Sequence, residues 1–108
     1  MDNNLVRTVI GTPIFRRYAD AVWCDDDRMA FVDYIAAHPE AGDVIPGAVP
    51  LRKVRWSRDG MGKRGGVRVI YFTTQADGTV TLLIVYPKSR TESLSPAFLH
   101  ALRQLIKE

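Results

Sequence analysis

The chain has 108 residues, of which 46% are hydrophobic and 25% are charged. These proportions predict one soluble globular domain, 1–108, and argue against a disordered chain. No apolar run is long enough to span a membrane, and no signal peptide is visible at the N-terminus. The one cysteine, Cys24, excludes an intramolecular disulfide, so we expect a cytoplasmic protein.

The net charge of +3 hides a strong asymmetry between the two halves of the chain. Residues 1–50 carry four arginines against eight acids, whereas residues 51–108 carry eleven lysines and arginines against four acids. The basic residues are densest at 52–68. Such a cluster is an electrostatic footprint for a polyanion such as nucleic acid. A basic strand edge that merely opposes aggregation has the same composition.

The first half of the chain predicts a short strand followed by two helices. The strand is expected at 5–10. Thr12 and the proline after it are typical of a helix start, because the hydroxyl caps the helix and proline lacks only an N–H that the first turn does not use. The acidic run 25–27 begins a second helix at the positive end of its dipole. That helix ends at His38, since the residue before a proline avoids helical geometry.

The second half of the chain predicts three strands and a helix. After a loop at 39–50, residues 51–57 alternate with a period of two and place Lys53 and Arg55 on one face. Strands at 67–74 and 80–86 flank an Asp-Gly turn signal. The last helix opens at the Ser-Pro pair 95–96. The predicted fold class is α+β, with two N-terminal helices and one C-terminal helix packed on a small antiparallel sheet and the first strand at its edge.

The hairpin between strands 67–74 and 80–86 has two possible registers, and they pair Arg68 with different residues. A two-residue turn pairs Arg68 with Pro87 and sends Arg68 and Lys88 to opposite faces. A three-residue loop ending at Gly78 pairs Arg68 with Tyr86 and leaves Lys88 on the same face. One functional patch needs these side chains together. We therefore expect the second register, reached through that loop or through a bulge of equal effect.

The sequence predicts neither a metal site nor a cofactor. His38 and His100 lie on different elements, without a cysteine or carboxylate at ligand spacing. The glycine-rich stretch 60–66 lacks the spacing and the following helix of a phosphate-binding loop. Cys24 is expected to be structural. Chemistry is therefore left to the basic residues.

A basic patch on neighbouring strands can act on a phosphodiester. Lys53, Arg55 and Arg68 can stabilise the extra negative charge that develops in the transition state. RNA carries its own nucleophile in the 2′-hydroxyl, so the protein need not supply one. A lysine or a tyrosine can then serve in proton transfer.

Two segments of the chain resemble the RelE/ParE toxin superfamily. They are Lys-Val-Arg-Trp at 53–56 and Gly-Gly-Val-Arg-Val-Ile-Tyr at 65–71, set between a strand–helix–helix start and a leucine-rich final helix. Residues 40–47 are typical of its HigB-like branch. The resemblance implies the toxin of a type II toxin–antitoxin system: a metal-independent endoribonuclease that cuts translated messenger RNA in the ribosomal decoding site by 2′-hydroxyl attack.

The resemblance also implies which residues carry the reaction. The arginine that the superfamily has in the basic turn after the last strand falls at Ser89 here, so Lys88 or Arg90 stands in for it. A tyrosine expected after that turn is absent, and Tyr86 is its substitute. The predicted catalytic residues are Lys53, Arg55, Arg68, Lys88 and Tyr86. Further basic residues are expected to bind RNA: Arg52, Arg58, Lys63, Arg64 and Arg90.

The implied partners are the ribosome, messenger RNA and a cognate antitoxin. In this branch the antitoxin is usually a helix-turn-helix protein, through which the complex binds its operator DNA. Two other functions remain open: a non-enzymatic inhibitor of DNA gyrase, as in the ParE group, and a plain nucleic-acid-binding module. The combination of Lys53, Arg55 and Arg68 favours cleavage.

Overall fold

The computed structural model describes residues 7–57, 66–87 and 94–106. Five predicted site residues lie outside them: Arg58, Lys63, Arg64, Lys88 and Arg90. The described elements are β1 (Val9–Gly11), α1 (Pro13–Val22), α2 (Asp25–Ala37), β2 (Asp43–Val44), β3 (Arg52–Trp56), β4 (Val67–Thr73), β5 (Val80–Pro87) and α3 (Pro96–Arg103). None of the described helices has the length and apolar character needed to cross a membrane.

The five strands form one sheet in the order β1-β5-β4-β3-β2. The predicted edge position of the first strand is confirmed, although its described residues are Val9–Gly11 rather than 5–10. The predicted α+β fold class is confirmed, and the sheet is mixed rather than purely antiparallel, because β1 runs parallel to β5. A long connection, unlike a hairpin, does not force its strands to be antiparallel. The two-residue strand β2 within 39–50 was not predicted, being too short to show a period of two.

The predicted helix ends are confirmed. The Thr12 hydroxyl accepts a hydrogen bond from the Phe15 amide at 3.0 Å, and the Ser95 hydroxyl accepts one from the Phe98 amide at 3.0 Å. Helices α1 and α3 each have a proline in the first turn. His38 is the C-terminal cap of α2. These ends depend on local geometry alone, which is why the sequence predicts them.

One face of the sheet is covered by α1 and α2. Its core contains an aromatic group in which the Trp23 ring stacks on Phe31 at 5.3 Å and meets Trp56 edge-on at 5.8 Å. Buried aliphatic residues from the three central strands complete this layer: Val54, Val67, Val69, Val80, Leu82 and Val85. We call this side the α1–α2 face.

The opposite side, which we call the α3 face, has a second and smaller core. Leu102 of α3 is buried there, with Leu99 and Ile106 partly buried beside it. The strand and loop residues of this core are Ala48, Leu51, Ile70, Phe72, Leu83, Ile84 and Tyr86. Strands β4 and β5 are therefore covered on both sides, as their continuous apolar sequence predicts.

The β4–β5 hairpin has the predicted pairing of Arg68 with Tyr86. Of the two predicted routes to this pairing, the three-residue loop is not formed, because four residues separate Thr74 and Thr79, whose backbones are joined by a 2.8 Å hydrogen bond; the predicted alternative, a bulge of equal effect, is present. Gly78 in this loop has φ +75°, the left-handed conformation that glycine adopts without steric cost. The loop alone would not bring Arg68 opposite Tyr86.

A β-bulge supplies the missing shift in register. Tyr71 pairs with Leu82, but the preceding residue Ile70 pairs with Ile84, so Leu83 is an extra residue in β5. Leu83 and Ile84 consequently both belong to the α3 face. After Leu83, each side chain of β5 lies on the face opposite to the one that it would occupy without the bulge. The bulge thus places Tyr86 on the α3 face.

The bulge is tied to the start of α1. The Thr12 hydroxyl donates a 3.2 Å hydrogen bond to the carbonyl of Leu83, and the Thr12 amide donates one of 3.1 Å to the carbonyl of Leu82. Thr12 therefore caps α1 and holds β5 at the bulge with the same side chain.

Candidate nucleic-acid interface

Three predicted site residues lie in one row across the sheet. Arg55 of β3 is directly opposite Arg68 of β4, which is directly opposite Tyr86 of β5. Directly opposite residues share a face, and here it is the α3 face because Tyr86 belongs to that core. With neighbouring strands about 4.8 Å apart, the row spans roughly 10 Å. We call it the Arg55–Arg68–Tyr86 row.

The two arginines of the row face each other, and no acid among residues 7–57, 66–87 and 94–106 forms an ion pair with either of them. Arg55 is exposed and Arg68 half-buried. The ion pair found within the described ranges, Arg28 with Asp20, joins the two N-terminal helices and involves neither of them. Like charges directly opposite on neighbouring strands destabilise a sheet. The arrangement is therefore suited to an anion bound between the two guanidinium groups.

Lys53 lies on the same face but in a different electrostatic setting. It is opposite Ile70 of β4 on one side and Asp43 of β2 on the other. Asp43 therefore offsets part of its charge, although their charged groups are not within ion-pair distance. Asp43 was not expected beside Lys53, because strand β2 was not predicted from the sequence.

Tyr86 lies at the boundary between the basic and the apolar parts of the α3 face. Tyr86 is 8% exposed and belongs to the same core as Leu102. Burial raises the pKa of the Tyr86 phenol, and the nearby charge of Arg68 partly opposes that increase. At neutral pH the phenol therefore keeps its proton. The phenol thus lies directly opposite Arg68 in its protonated form.

Arg52 does not join the row. It pairs with Tyr71 and lies on the α1–α2 face, opposite in direction to Lys53 and Arg55. Its Nη1 donates a 2.6 Å hydrogen bond to the carbonyl of Gly42. The alternation along β3 imposes this division.

The buried side chain of Tyr71 holds the segment 39–42, which leads into Asp43, through two hydrogen bonds. The Tyr71 hydroxyl accepts a 2.9 Å hydrogen bond from the Gly42 amide and donates one of 2.8 Å to the carbonyl of Pro39. A Cβ at Gly42 would lie 2.9 Å from the carbonyl oxygen of Lys53, so only glycine allows this approach. Burial also raises the pKa of Tyr71. Tyr71 is fully buried, and the role of its hydroxyl was not predicted from the sequence.

Within 7–57, 66–87 and 94–106, no three His, Cys, Asp or Glu side chains form a group that could hold a metal ion. The candidate site on the α3 face therefore consists of the Arg55–Arg68–Tyr86 row and Lys53, without a metal-binding group among the described residues.

The fold is similar to those of known toxins. No protein-family model matches the sequence. A double arginine-to-alanine mutant of the E. coli toxin RelE in the free state superposes with a TM-score of 0.61 at 10% identity, over 93% of this chain and 96% of that one. The RelBE2 toxin–antitoxin complex from Mycobacterium tuberculosis gives 0.54 at 19% identity, over 82% of this chain and 99% of that one. The chain therefore has the fold of the RelE-type toxins, with three helices on a five-stranded sheet.

Proposed function

We propose that this chain is the toxin of a type II toxin–antitoxin system. In this proposal it is a metal-independent endoribonuclease that cuts messenger RNA in the ribosomal decoding site. The observation that carries the proposal is the Arg55–Arg68–Tyr86 row, which combines a neutral phenol with two guanidinium groups that have no ion-pair partner among the described residues. The RelE-like fold supports it.

The row suits cleavage by the 2′-hydroxyl of RNA. In that reaction the 2′-oxygen attacks the adjacent phosphorus, the bond to the 5′-oxygen of the next nucleotide breaks, and a 2′,3′-cyclic phosphate remains. Arg55 and Arg68 stabilise the added negative charge on the phosphoryl oxygens. Tyr86 donates its proton to the departing 5′-oxygen. The neutral amine form of Lys53, or of Lys88 outside the described residues, accepts the proton of the 2′-hydroxyl.

A proton donor distinguishes this proposal from the two alternatives. A nucleic-acid-binding module or a gyrase inhibitor needs positive charge, but it has no use for a neutral phenol next to that charge. Tyr86 is protonated at neutral pH, as tyrosine ordinarily is, and it lies directly opposite Arg68 on the same face. The row therefore favours an enzyme.

The proposed partners follow from the toxin assignment. They are the ribosome, messenger RNA and a helix-turn-helix antitoxin that carries the complex to operator DNA in the cytoplasm. One structural neighbour was solved as a toxin–antitoxin complex. Residues 40–47 support the HigB-like branch, and they contain two positions that need glycine: Gly42, where a Cβ would clash, and Gly47 with φ +78°.

The test is cleavage of a message by the purified chain with and without translating ribosomes. We expect ribosome-dependent cuts by primer extension and a 2′,3′-cyclic phosphate on the upstream fragment. An Arg17→Ala variant, altered at an exposed position of α1, is the matched control for lost positive charge and should cut normally. Inhibition of gyrase supercoiling without RNA cleavage, or RNA binding without cleavage, would overturn the proposal.

A further inference from the structure

A second concave region lies at the other end of the sheet from the Arg55–Arg68–Tyr86 row. It consists of two adjoining cavities of about 560 and 300 Å³, which share Arg7, Pro39 and Glu40 in their walls. Thr73 lines the smaller cavity. It lies five residues beyond Arg68 along β4, a separation of roughly 17 Å. This smaller cavity is therefore spatially separate from the basic face.

The floor of the smaller cavity is built by three neighbouring strands. Val44 of β2 is opposite Arg52 of β3, which is opposite Tyr71 of β4, two residues before Thr73. All of these residues share the α1–α2 face. The remaining wall residues come from the flanking loops: Val49, Pro50 and Gln75. At about 300 Å³ the cavity is at the small end of the range of ligand pockets.

The cavity holds charges of both signs. Arg7 and Arg52 contribute guanidinium groups, and Glu40 contributes a carboxylate. In the part of the chain that the structure describes, neither Arg7 nor Glu40 is paired with an opposite charge. Arg52 uses one N–H on the carbonyl of Gly42, which leaves its other donors for a ligand. Val44 and Val49 are exposed apolar surface beside these charges, with 43% and 61% of their area open.

These groups match an amphoteric ligand with a small apolar part. Guanidinium groups recognise carboxylates through paired, charge-assisted hydrogen bonds. Glu40 repels a second negative charge and attracts an ammonium group, which argues against a nucleotide. We propose that this cavity binds an aliphatic α-amino acid, its carboxylate on Arg7 and Arg52, its ammonium on Glu40, and its side chain against the two valines.

The first experiment titrates the isotope-labelled full chain with L-leucine and follows backbone amide shifts by NMR. We expect saturable shifts centred on Val44, Thr73 and Gln75. N-acetyl-L-leucine, which lacks the ammonium, and L-leucine amide, which lacks the carboxylate, should each bind about tenfold more weakly, the effect of one charged hydrogen-bonding group. Absence of saturable shifts at these residues, or equal binding of all three compounds, would overturn the proposal.

The second experiment assigns the charges to residues. Glu40→Gln should weaken L-leucine about tenfold and leave N-acetyl-L-leucine unchanged, while Arg7→Gln should weaken both. Asp33→Asn and Arg17→Gln, at exposed helix positions, are the matched controls and should change neither. If a single-stranded RNA oligonucleotide moves the same amides more strongly than L-leucine does, the cavity is a nucleic-acid contact and the proposal is wrong.

Discussion

The two faces of the sheet use the same three central strands for different purposes. On the α1–α2 face, aromatic and aliphatic side chains form a continuous core, and the buried Tyr71 hydroxyl has two hydrogen-bond partners. On the α3 face, the eight-residue helix α3 covers an apolar half around Leu102. The other half carries Arg55 and Arg68 directly opposite each other.

The difference shows why a short final helix suits this sheet. Burying unpaired guanidinium groups would require a large desolvation energy, so the charged half of the face has to remain accessible. The α1–α2 face then supplies most of the stability, while the α3 face tolerates unfavourable charge contacts. Substitutions on the two faces should therefore affect different measurable quantities.

The largest effect is expected from a substitution in the core of the α1–α2 face. Phe31→Ala removes a fully buried ring that contacts Trp23 and Trp56, and we expect a loss of about 3–5 kcal/mol in the free energy of unfolding. Chemical denaturation measures it. Met29→Ala, on the same helix at 64% exposure, should stay within about 0.5 kcal/mol of wild type. Similar losses for the two variants would contradict this description of the core.

The next effect should appear in activity and not in stability. Arg68→Ala removes a charge aimed at the proposed scissile phosphate, and we expect cleavage to fall by about 10²–10³ fold. Its free energy of unfolding should change by less than about 1 kcal/mol, because the side chain is half-buried and has no described acidic partner. Primer extension and denaturation of the same preparation test both. Full cleavage by a folded variant would exclude Arg68 from the site.

A buried polar group can also be removed from the α1–α2 face. Tyr71→Phe keeps the ring but leaves the Gly42 amide and the Pro39 carbonyl without their partner. We expect a loss of about 1–3 kcal/mol in the free energy of unfolding. Hydrogen exchange should localise the change to 39–44. Exchange that is unchanged there would show that the hydroxyl does not hold this segment.

Removing one of the two facing arginines should increase the free energy of unfolding by a small amount. Arg55→Gln removes one of two facing charges, so at low ionic strength we expect the free energy of unfolding to rise by about 0.2–1 kcal/mol. Salt screens such repulsion, and the gain should shrink as the salt concentration increases. Arg17→Gln serves as the control with the same chemical change on α1. A loss of stability in Arg55→Gln at low salt would contradict the facing arrangement.

The smallest effect concerns alkaline pH. Burial raises the pKa of Tyr86 above its usual 10.0, so the folded protein holds this proton more tightly than the unfolded chain does. This contribution to stability is complete below about pH 10 and is lost as the pH rises through the raised value. Tyr86→Phe should show a weaker alkaline decline in urea unfolding. In Arg68→Gln the phenol should titrate at still higher pH, because the opposing charge is gone.

Local sequence determined much of this architecture. The hydroxyls of Thr12 and Ser95 cap their helices by accepting hydrogen bonds from backbone amides three residues further along the chain. His38 ends α2 immediately before a proline. The period of two along β3 places Lys53 and Arg55 together, because alternation is a property of any extended strand. Each of these features depends on neighbours within one turn or one strand. A single sequence therefore contains the necessary information.

The pairing of Arg68 with Tyr86 depends on the tertiary structure. Residues 82–86 are apolar without alternation, so they fit either face and carry no register information of their own. The register results from a four-residue loop combined with the Leu83 bulge, whose carbonyl is held by Thr12 from a distant part of the sequence. The parallel pairing of β1 with β5 and the placement of Asp43 beside Lys53 likewise depend on contacts between separate segments of the chain. Such contacts join segments that are far apart in the chain, and only packing on both faces of the sheet selects among the alternatives that local geometry allows.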